Sequence, residues 1–499
     1  MSLFPATRPA GTAVADQARL FEAVEEALPA LGPDGGGAPN NDAGALGWGF
    51  SWRMQAFLLM AEATGDPAYL HRLVEMADAV LAVRDDRRGV RDHRELSLPV
   101  WSSAGKYTVC GATVPDEDGV PALRVHLCPP HALRATVRVV PGPDGTFTLT
   151  IVRPGDHLPI VLPELSLDSG DPRRADRVAY DRHTREDAIT VELLPGPGEA
   201  ADRPRRLRAG THRLQPARVA LAAQTGMIAY PLAGLARLAR ERPDLVHAAV
   251  AAKTEDYLAA AHEALAAHDH QWRVTDAGEG HYVWLPDEPV GFAGAELPTN
   301  EFLAVGRTLI QLAAVTGDRT YAERATATAR ALRGQLTERA GGFVWPYWPS
   351  FGRVYRGWTR TGDRDRDGSH FRPLFPALPV AEDSTHALLD VDFAVLYAST
   401  PGLPEVFSAA DMRTLARTFT RHVYLRRLGR RPTVRRYIGG ADRPGTAHHE
   451  AQVAAWLPLH QWDPRVARRV AAVHRRRRSG AVQSVDAYCA ALLARWRRP

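Results

Sequence analysis

The sequence predicts a mainly α fold: an (α/α)6 toroid of about twelve helices, with a β-rich insertion between the third and fourth. Three observations predict it. Apolar residues recur at helical spacing along most of the chain, one helix–turn–helix junction occurs twice, and one long region abandons the helical period for alternation.

The repeated junction is AEATGDPAYL at 61–70 and AAVTGDRTYA at 313–322. Gly65 and Gly317 can take the left-handed conformation that ends a helix. Asp66 and Asp318 then cap the next helix, and Pro67 suits a first helical position. Tyr69 and Tyr321 can pack back across the turn, so each junction is a tight αα-hairpin. WDP at 462–464 and ERPD at 241–244 have similar character.

Helical periodicity covers 14–29, 46–64, 67–82, 218–240, 244–266, 299–316, 319–336, 383–399, 408–422, 447–459, 464–476 and 482–497. Helices joined as six hairpins can close into a ring. An open solenoid is the alternative, and its repeats would be more alike. Residues 97–217 differ: ATVRVVPGPDGTFTLTIV at 135–152 predicts strand, turn, strand, and 122–127 and 187–194 predict further strands. The expected domains are 1–96, the first hairpins; 97–217, the β-rich insertion; and 218–499, the rest of the toroid.

Composition narrows the function classes. With 499 residues and 45% hydrophobic content the chain can bury a large core. No apolar run is long enough to cross a membrane, and MSLFPATRPAG is not a basic-then-apolar leader, so a cytoplasmic protein is expected. Three cysteines, with no Cys/His spacing suited to zinc, predict neither a disulfide framework nor a metal centre. No phosphate-binding loop, dinucleotide fingerprint or GxSxG occurs. Residues 421–499 hold 18 Arg against four acids, a balance of +14, so the remainder must sum to −9 to give the net +5. RRLGRRPTVRR and HRRRRSG could bind acidic polymers, but a solvated basic face is the simpler reading. No aromatic-interleaved motif accompanies them, which disfavours nucleic acid.

The connections place the site. Short turns join helices two to three, four to five, six to seven and ten to eleven, and long loops join three to four, five to six, seven to eight and nine to ten. In an antiparallel ring the long loops then share one end, where helices two, four, six, eight and ten begin. Those starts carry Asn41, Asp42 and Trp48; Gln224 and Tyr230; Thr299, Asn300 and Glu301; Glu382, Asp383, Ser384 and His386; and His448, His449 and Glu450. Each has a plainer role: short polar residues at helix starts are caps, and a histidine before an apolar run can be a satisfied core residue. As chemistry, His386 is a candidate base, with Asp390 one turn on, or Asp383 or Glu382 before it, as orienter.

Two loops add aromatics. GGFVWPYWPSFGRVYRGWTR contributes Trp345, Tyr347, Trp348 and Arg353, and GEGHYVW contributes His281 and Tyr282. They form either a local core or stacking platforms for sugar rings, with arginine for carboxylates. TGDRDRDGSH has the spacing of a calcium loop at Asp363, Asp365 and Asp367, but Leu374 stands where the closing Glu belongs. A polar turn is the main reading and bound calcium the alternative; no other cofactor is implied.

The hairpin turns, the helix number and the aromatic funnel (Trp48, Trp345, Tyr347, Trp348) resemble the six-hairpin toroid enzymes of carbohydrate chemistry. These are the uronate C5-epimerases, heparinase- and alginate-lyase-like polysaccharide lyases, unsaturated glucuronyl hydrolases and N-acylglucosamine 2-epimerases. The lyases usually carry a sheet domain after the toroid, and here the β-rich region interrupts it. The resemblance implies an enzyme acting on a small saccharide or acidic glycan, by proton abstraction beside a carboxylate (lyase or epimerase) or by hydrolysis. Asn300, Gln224 or Arg353 would neutralise the carboxylate, His386 would be the base, and Tyr230 or Tyr347 the acid. A hydrolase would pair Asp42 or Glu301 with Asp383. Trp48, Gln224, His281, Tyr282, Trp345, Tyr347, Trp348, Arg353, Glu301 and His449 would contact substrate. The alternatives are a non-catalytic glycan- or polyanion-binding protein, using Arg475–Arg478, and a terpene-cyclase-like α-barrel enzyme using Asp390 and Asp392.

Overall fold

A computed structural model of the chain describes residues 11–28, 40–130, 132–155, 157–196, 205–426, 430–440, 443–477 and 480–496, without the side chains of 11–17. The predicted ends at 29 and 497, and Arg478, lie outside the described residues.

The main helices are α1 (Gly11–Glu26), α2 (Ser51–Thr64), α3 (Ala68–Ala82), α4 (Ala222–Glu241), α5 (Thr254–Ala266) and α6 (Thr299–Thr316). They continue with α7 (Arg319–Gln335), α8 (Ala387–Ser399), α9 (Ala409–Arg417), α10 (Ala447–Ala451, extended as a 3-10 helix over Gln452–Gln461), α11 (Arg465–His474) and α12 (Ser484–Trp496). The predicted turns have the expected chemistry. Gly65 and Gly317 end α2 and α6 at φ +75° and +71°, and Asp318 accepts the Thr320 N–H at 2.7 Å.

The even-numbered helices touch in a cycle: α2 packs on α4, α4 on α6, α6 on α8, α8 on α10, α10 on α12, and α12 on α2. The odd-numbered helices lie outside it, α3 on α2, α5 on α4, α7 on α6, α9 and α11 on α10, and α1 on α12. The even helices are therefore buried nearly all round, as α4 and α6 are from Ala222 to Leu238 and from Phe302 to Ala313. Two of them meet at Gly226, where a methyl group would sit 2.7 Å from the Cα of Val305.

Between α3 and α4 run the strands β1 (Cys110–Pro115), β2 (Pro121–Leu127), β3 (Thr136–Pro141), β4 (Phe147–Val152), β5 (Ile160–Leu165), β6 (Ile189–Leu193), β7 (Gly210–Arg213) and β8 (Gln215–Pro216). They form two antiparallel sheets, ordered β6-β2-β1-β8 and β5-β4-β3-β7. Their inward residues, Val125, Val137, Leu149 and Ile151 among them, make an apolar cluster separate from that of the helices.

One boundary differs from expectation at the site. The eighth helix begins at Ala387, four residues later than its periodicity predicts. Residues 381–384 are extended instead, because neighbouring chains claim their backbone: Glu382 N–H donates to Trp345 O (3.0 Å), Ser384 N–H to Arg436 O (2.8 Å), and Asp383 bridges Tyr437. Among the described residues no helix is long and apolar enough to cross a membrane.

Candidate functional site

The polar starts of α6, α8 and α10 meet. Two extended segments hold them: 344–348, whose Tyr347 carbonyl accepts the Thr299 N–H (2.9 Å), and 433–437 on the other side of residues 381–384. His386 stands at the head of α8 with half of its side chain (51%) open. Its Nδ1 lies 3.6 Å from Oε1 of Glu382, a carboxyl with no exposed surface. Burial pushes His386 down, but Glu382, Asp383 and Glu301 together raise it above the ordinary imidazole value.

Glu382, and not Asp390, is the carboxyl beside the His386 ring. Asp390 accepts the Trp345 indole N–H at 2.6 Å, and its carboxyl lies against that of Glu382. The two carboxyls still affect each other: burial raises both, and Glu382 pushes Asp390 further. Apart from that mutual contact, one oxygen of each, Oε2 of Glu382 and Oδ1 of Asp390, is buried and receives no other hydrogen bond. The pair is held short of full ionisation.

Asp383 is the opposite case. Burial would raise it, but hydrogen bonds from His449 and Thr385 hold it well below the usual carboxylate range. His449 Nδ1 accepts the Thr446 N–H (3.2 Å), which leaves Nε2–H to donate to Asp383 Oδ2 at 3.2 Å. Thr385 donates to Oδ1 through its N–H and hydroxyl, and Arg436 Nε stands 3.5 Å from Oδ2.

Glu301, in the first turn of α6, is partly exposed. Desolvation raises its carboxyl to about 7, even with His386 pulling it down. Tyr347 stacks beside His386 with ring centres 5.4 Å apart. Burial and the charges of Glu301, Glu382, Asp390 and Asp383 hold its phenol in the protonated form. Asn300 is buried beside Glu301, its Oδ1 unpartnered. One accessible place thus combines an imidazole, a carboxyl that titrates near neutrality, a carboxylate that stays ionised and a protonated phenol.

Other expected residues do different work. Gln224 accepts from Asn41 Nδ2 and Ser103 Oγ, both at 2.7 Å, and so fastens the loop before α2 to α4. Tyr230 is not beside His386 but stacks on Arg307, whose guanidinium is 4.0 Å from its ring centre and whose Nε pairs with Asp392 Oδ2 at 2.7 Å. It belongs to a buried ion-pair cluster and is not the acid of this site. His281 packs on Phe351, and Tyr282 is buried against Trp272. Trp345 and Trp348 are buried, the latter against Phe292, so the aromatic loop is chiefly a local core with Tyr347 at its open edge. Arg353 is spent on the carbonyls of Gly294 (2.9 Å) and Gly368 (2.7 Å). Trp48 is half-buried where a π-helical turn, Leu46–Phe50, leads into α2, and Asp42 pairs with Arg218 at 2.7 Å.

In the calcium-like turn Asp367 Oδ1 takes the N–H and hydroxyl of Thr361, and Asp363 caps a 3-10 turn. Among the described residues no group of three or more His, Cys, Asp or Glu is arranged to hold a metal ion.

No family model matches the chain, and no curated protein does. Among solved structures it is similar to a reducing-end-xylose releasing exo-oligoxylanase complexed with xylose, at 16% identity over 55% of this chain and 65% of that one, with a TM-score of 0.31. It is also similar to an inactive variant of an alpha-1,6-mannanase of Salegentibacter sp. HEL1_6 in complex with alpha-1,6-mannotetrose, at 12% identity over 55% and 74%, with a TM-score of 0.32. The chain thus spans less than two thirds of the exo-oligoxylanase, and likeness at this level leaves the function to be argued from the chain's own residues.

Proposed function

We propose that this protein is an enzyme that moves a proton on a carbohydrate, with His386 as the base and Glu301 as the second acid–base group. The observation that carries the proposal is His386 itself: accessible, backed at 3.6 Å by a fully buried Glu382, and flanked by Glu301 and Tyr347. The substrate class rests on architecture. The cyclic contact of the even-numbered helices, with the odd ones outside, supports a six-hairpin toroid interrupted by the β strands, the scaffold the sequence resembles.

Within that class we favour a uronate-containing saccharide and β-elimination or C5-epimerisation. Arg436, half-exposed beside Asp383, takes the role once expected of Arg353 and meets the substrate carboxylate. His386 removes the adjacent proton, and Tyr347 or Glu301 protonates the leaving oxygen or the opposite face. Hydrolysis is the second reading. It is favoured by two carboxyls pushed apart: Glu301, protonated up to about 7, would donate, and Asp383, held low, would serve as base or nucleophile.

The test is an assay on a panel of uronate-containing and neutral oligosaccharides. Elimination is read by absorbance of the new double bond, epimerisation by exchange of the C5 hydrogen with deuterated solvent, and hydrolysis by new reducing ends. Turnover should vanish in His386→Ala while circular dichroism and saccharide binding persist. Turnover that survives this substitution, or binding without turnover of any saccharide, sinks the proposal.

A further inference from the structure

The carboxyls of Glu382 and Asp390 lie against each other, sealed from solvent at 0% and 1% exposure. Trp345 clamps both residues. Its backbone carbonyl accepts the Glu382 N–H at 3.0 Å, and its indole N–H donates to Asp390 Oδ2 at 2.6 Å. We propose that one proton is held between these two carboxyls: Asp390 is the protonated partner, donates to Glu382, and acts as a positioning residue that keeps Glu382 anionic behind His386. The role in turnover rests on the reading of His386 as the base; the proton itself does not.

A count of donors carries the proposal. Oε1 of Glu382 accepts the Asp383 N–H at 2.8 Å and faces Nδ1 of His386 at 3.6 Å. Oδ2 of Asp390 has the indole. Oε2 of Glu382 and Oδ1 of Asp390 are the oxygens left for the mutual contact, and no other group donates to either. A carboxylate only accepts, so two ionised carboxyls cannot satisfy each other. Buried acceptors without donors cost free energy, and like charges in contact away from water repel strongly. One proton removes both penalties, because an O–H on one carboxyl donates to an oxygen of the other. A second proton would neutralise Glu382 where His386 and the Asp383 N–H favour its charge.

The surroundings assign the proton. The groups acting on the pair are His386 and Asp383 of the same segment, Trp345, and Tyr347 of the aromatic loop, while Glu301 at the start of α6 acts on the His386 ring. Of these, His386 can be cationic, and it stands beside Glu382. Asp390 has the neutral indole and the Glu382 carboxyl, so the anion belongs on Glu382 and the proton on Asp390.

Infrared difference spectroscopy of the full-length protein at about pH 9, where Glu301 is ionised, reads the proton directly. The carbonyl band of a protonated, hydrogen-bonded carboxylic acid should be present in the wild type and absent from Asp390→Asn. Asn keeps the size and an N–H donor toward Glu382, so this variant should fold and keep turnover within about threefold. Asp390→Leu removes the donor and should lose turnover by about tenfold or more. The acid limb of its kcat/KM should also move to lower pH, because a Glu382 without that donor takes up a proton and supports the imidazole less. Lost stability alone lowers the rate without moving the limb, and thermal unfolding of both variants measures it. No acid band in the wild type, or one that survives in Asp390→Asn, overturns the shared proton. A band lost as expected, with an unmoved limb in Asp390→Leu, overturns the positioning role. Turnover that survives in His386→Ala removes the base and with it that role, while the band decides the proton on its own.

Discussion

Nδ1 of His386 faces Oε1 of Glu382 across 3.6 Å, with the imidazole open to solvent and the carboxyl sealed. That asymmetry suits a base: the carboxyl that backs the ring is shut off from solvent, and the ring itself can reach a substrate. Removing His386 should lower kcat by ~10²–10⁴-fold with little loss of stability. Glu382→Gln should leave some activity but move its pH dependence. Glu382 raises His386, so the variant's imidazole titrates lower and the acid limb of kcat/KM shifts to lower pH. A pH–rate profile with histidine-resolved NMR titration checks this; an unmoved limb would mean that Glu382 is only structural.

Glu301 gives a second pH signature. Its carboxyl is raised to about 7, so the folded protein binds a proton there that the unfolded chain has lost above its ordinary value of 4.5. The associated stability is fully present below about 4.5 and is lost as pH rises through 7. Glu301→Gln abolishes that titration. The melting temperature of the variant relative to wild type should therefore be higher at pH 8 than at pH 5, measured by calorimetry at both. If Glu301 is the acid, the basic limb of the rate profile should also vanish.

The buried histidines act with the opposite sign. Burial lowers His183 and His268 to about 4 and His126 to about 3. Each stays neutral in the fold while the unfolded chain takes up protons below 6.5. Stability should therefore fall as pH drops from about 6.5 towards 4, by ~2–3 kcal/mol per histidine if each shift is fully expressed. His268→Gln should flatten this dependence. His268 bonds Thr225 Oγ1 at 2.9 Å and Gln271 Oε1 at 2.8 Å, so the variant should also lose stability at neutral pH. Urea unfolding from pH 4 to 8 separates the two effects, and a pH-independent wild type would refute the first.

Much of the helical frame was legible because its signals are local. TGD turns need a left-handed glycine and an aspartate cap, and Gly65, Gly317 and Asp318 supply both within a few residues. The alternation of short and long connections put Glu301, His386 and His449 at one expected end, together with the starts of the second and fourth helices. The partners of these side chains left no such signal. Glu382 reaches His386 because Trp345 and Arg436 hold residues 381–384 extended, a decision made by chain segments far away in sequence. The i, i+4 spacing of Glu382 and His386 was the available hint. The aromatic loop was ambiguous for another reason: a local core and a stacking platform have the same composition. Only burial shows Trp345 and Trp348 inside and Tyr347 at the edge. His281, Tyr282, Arg353 and Gln224 lie near helix starts by sequence, but each is engaged in packing or bonding that holds the scaffold.

The last prediction concerns the scaffold that holds the site. At Gly226 the backbones of α4 and α6 approach so closely that a β-carbon would meet Val305 Cα at 2.7 Å and the Ala304 carbonyl carbon at 2.9 Å. Thr308 Oγ1 also donates to the Gly226 carbonyl at 2.8 Å, which fixes the register of the two helices. Backbone cannot move aside as a side chain can. Gly226→Ala, which in an exposed helix would stabilise by ~1 kcal/mol, should here destabilise by ~1–3 kcal/mol. Because α6 carries Asn300 and Glu301 at its start, pushing the helices apart should also weaken catalysis while leaving His386 in place. Thr308→Val removes the hydrogen bond without adding bulk and should cost less stability. If Gly226→Ala melts at or above the wild-type temperature, the two helices do not meet at this distance, and the close packing argued for the even-numbered helices is wrong at this contact.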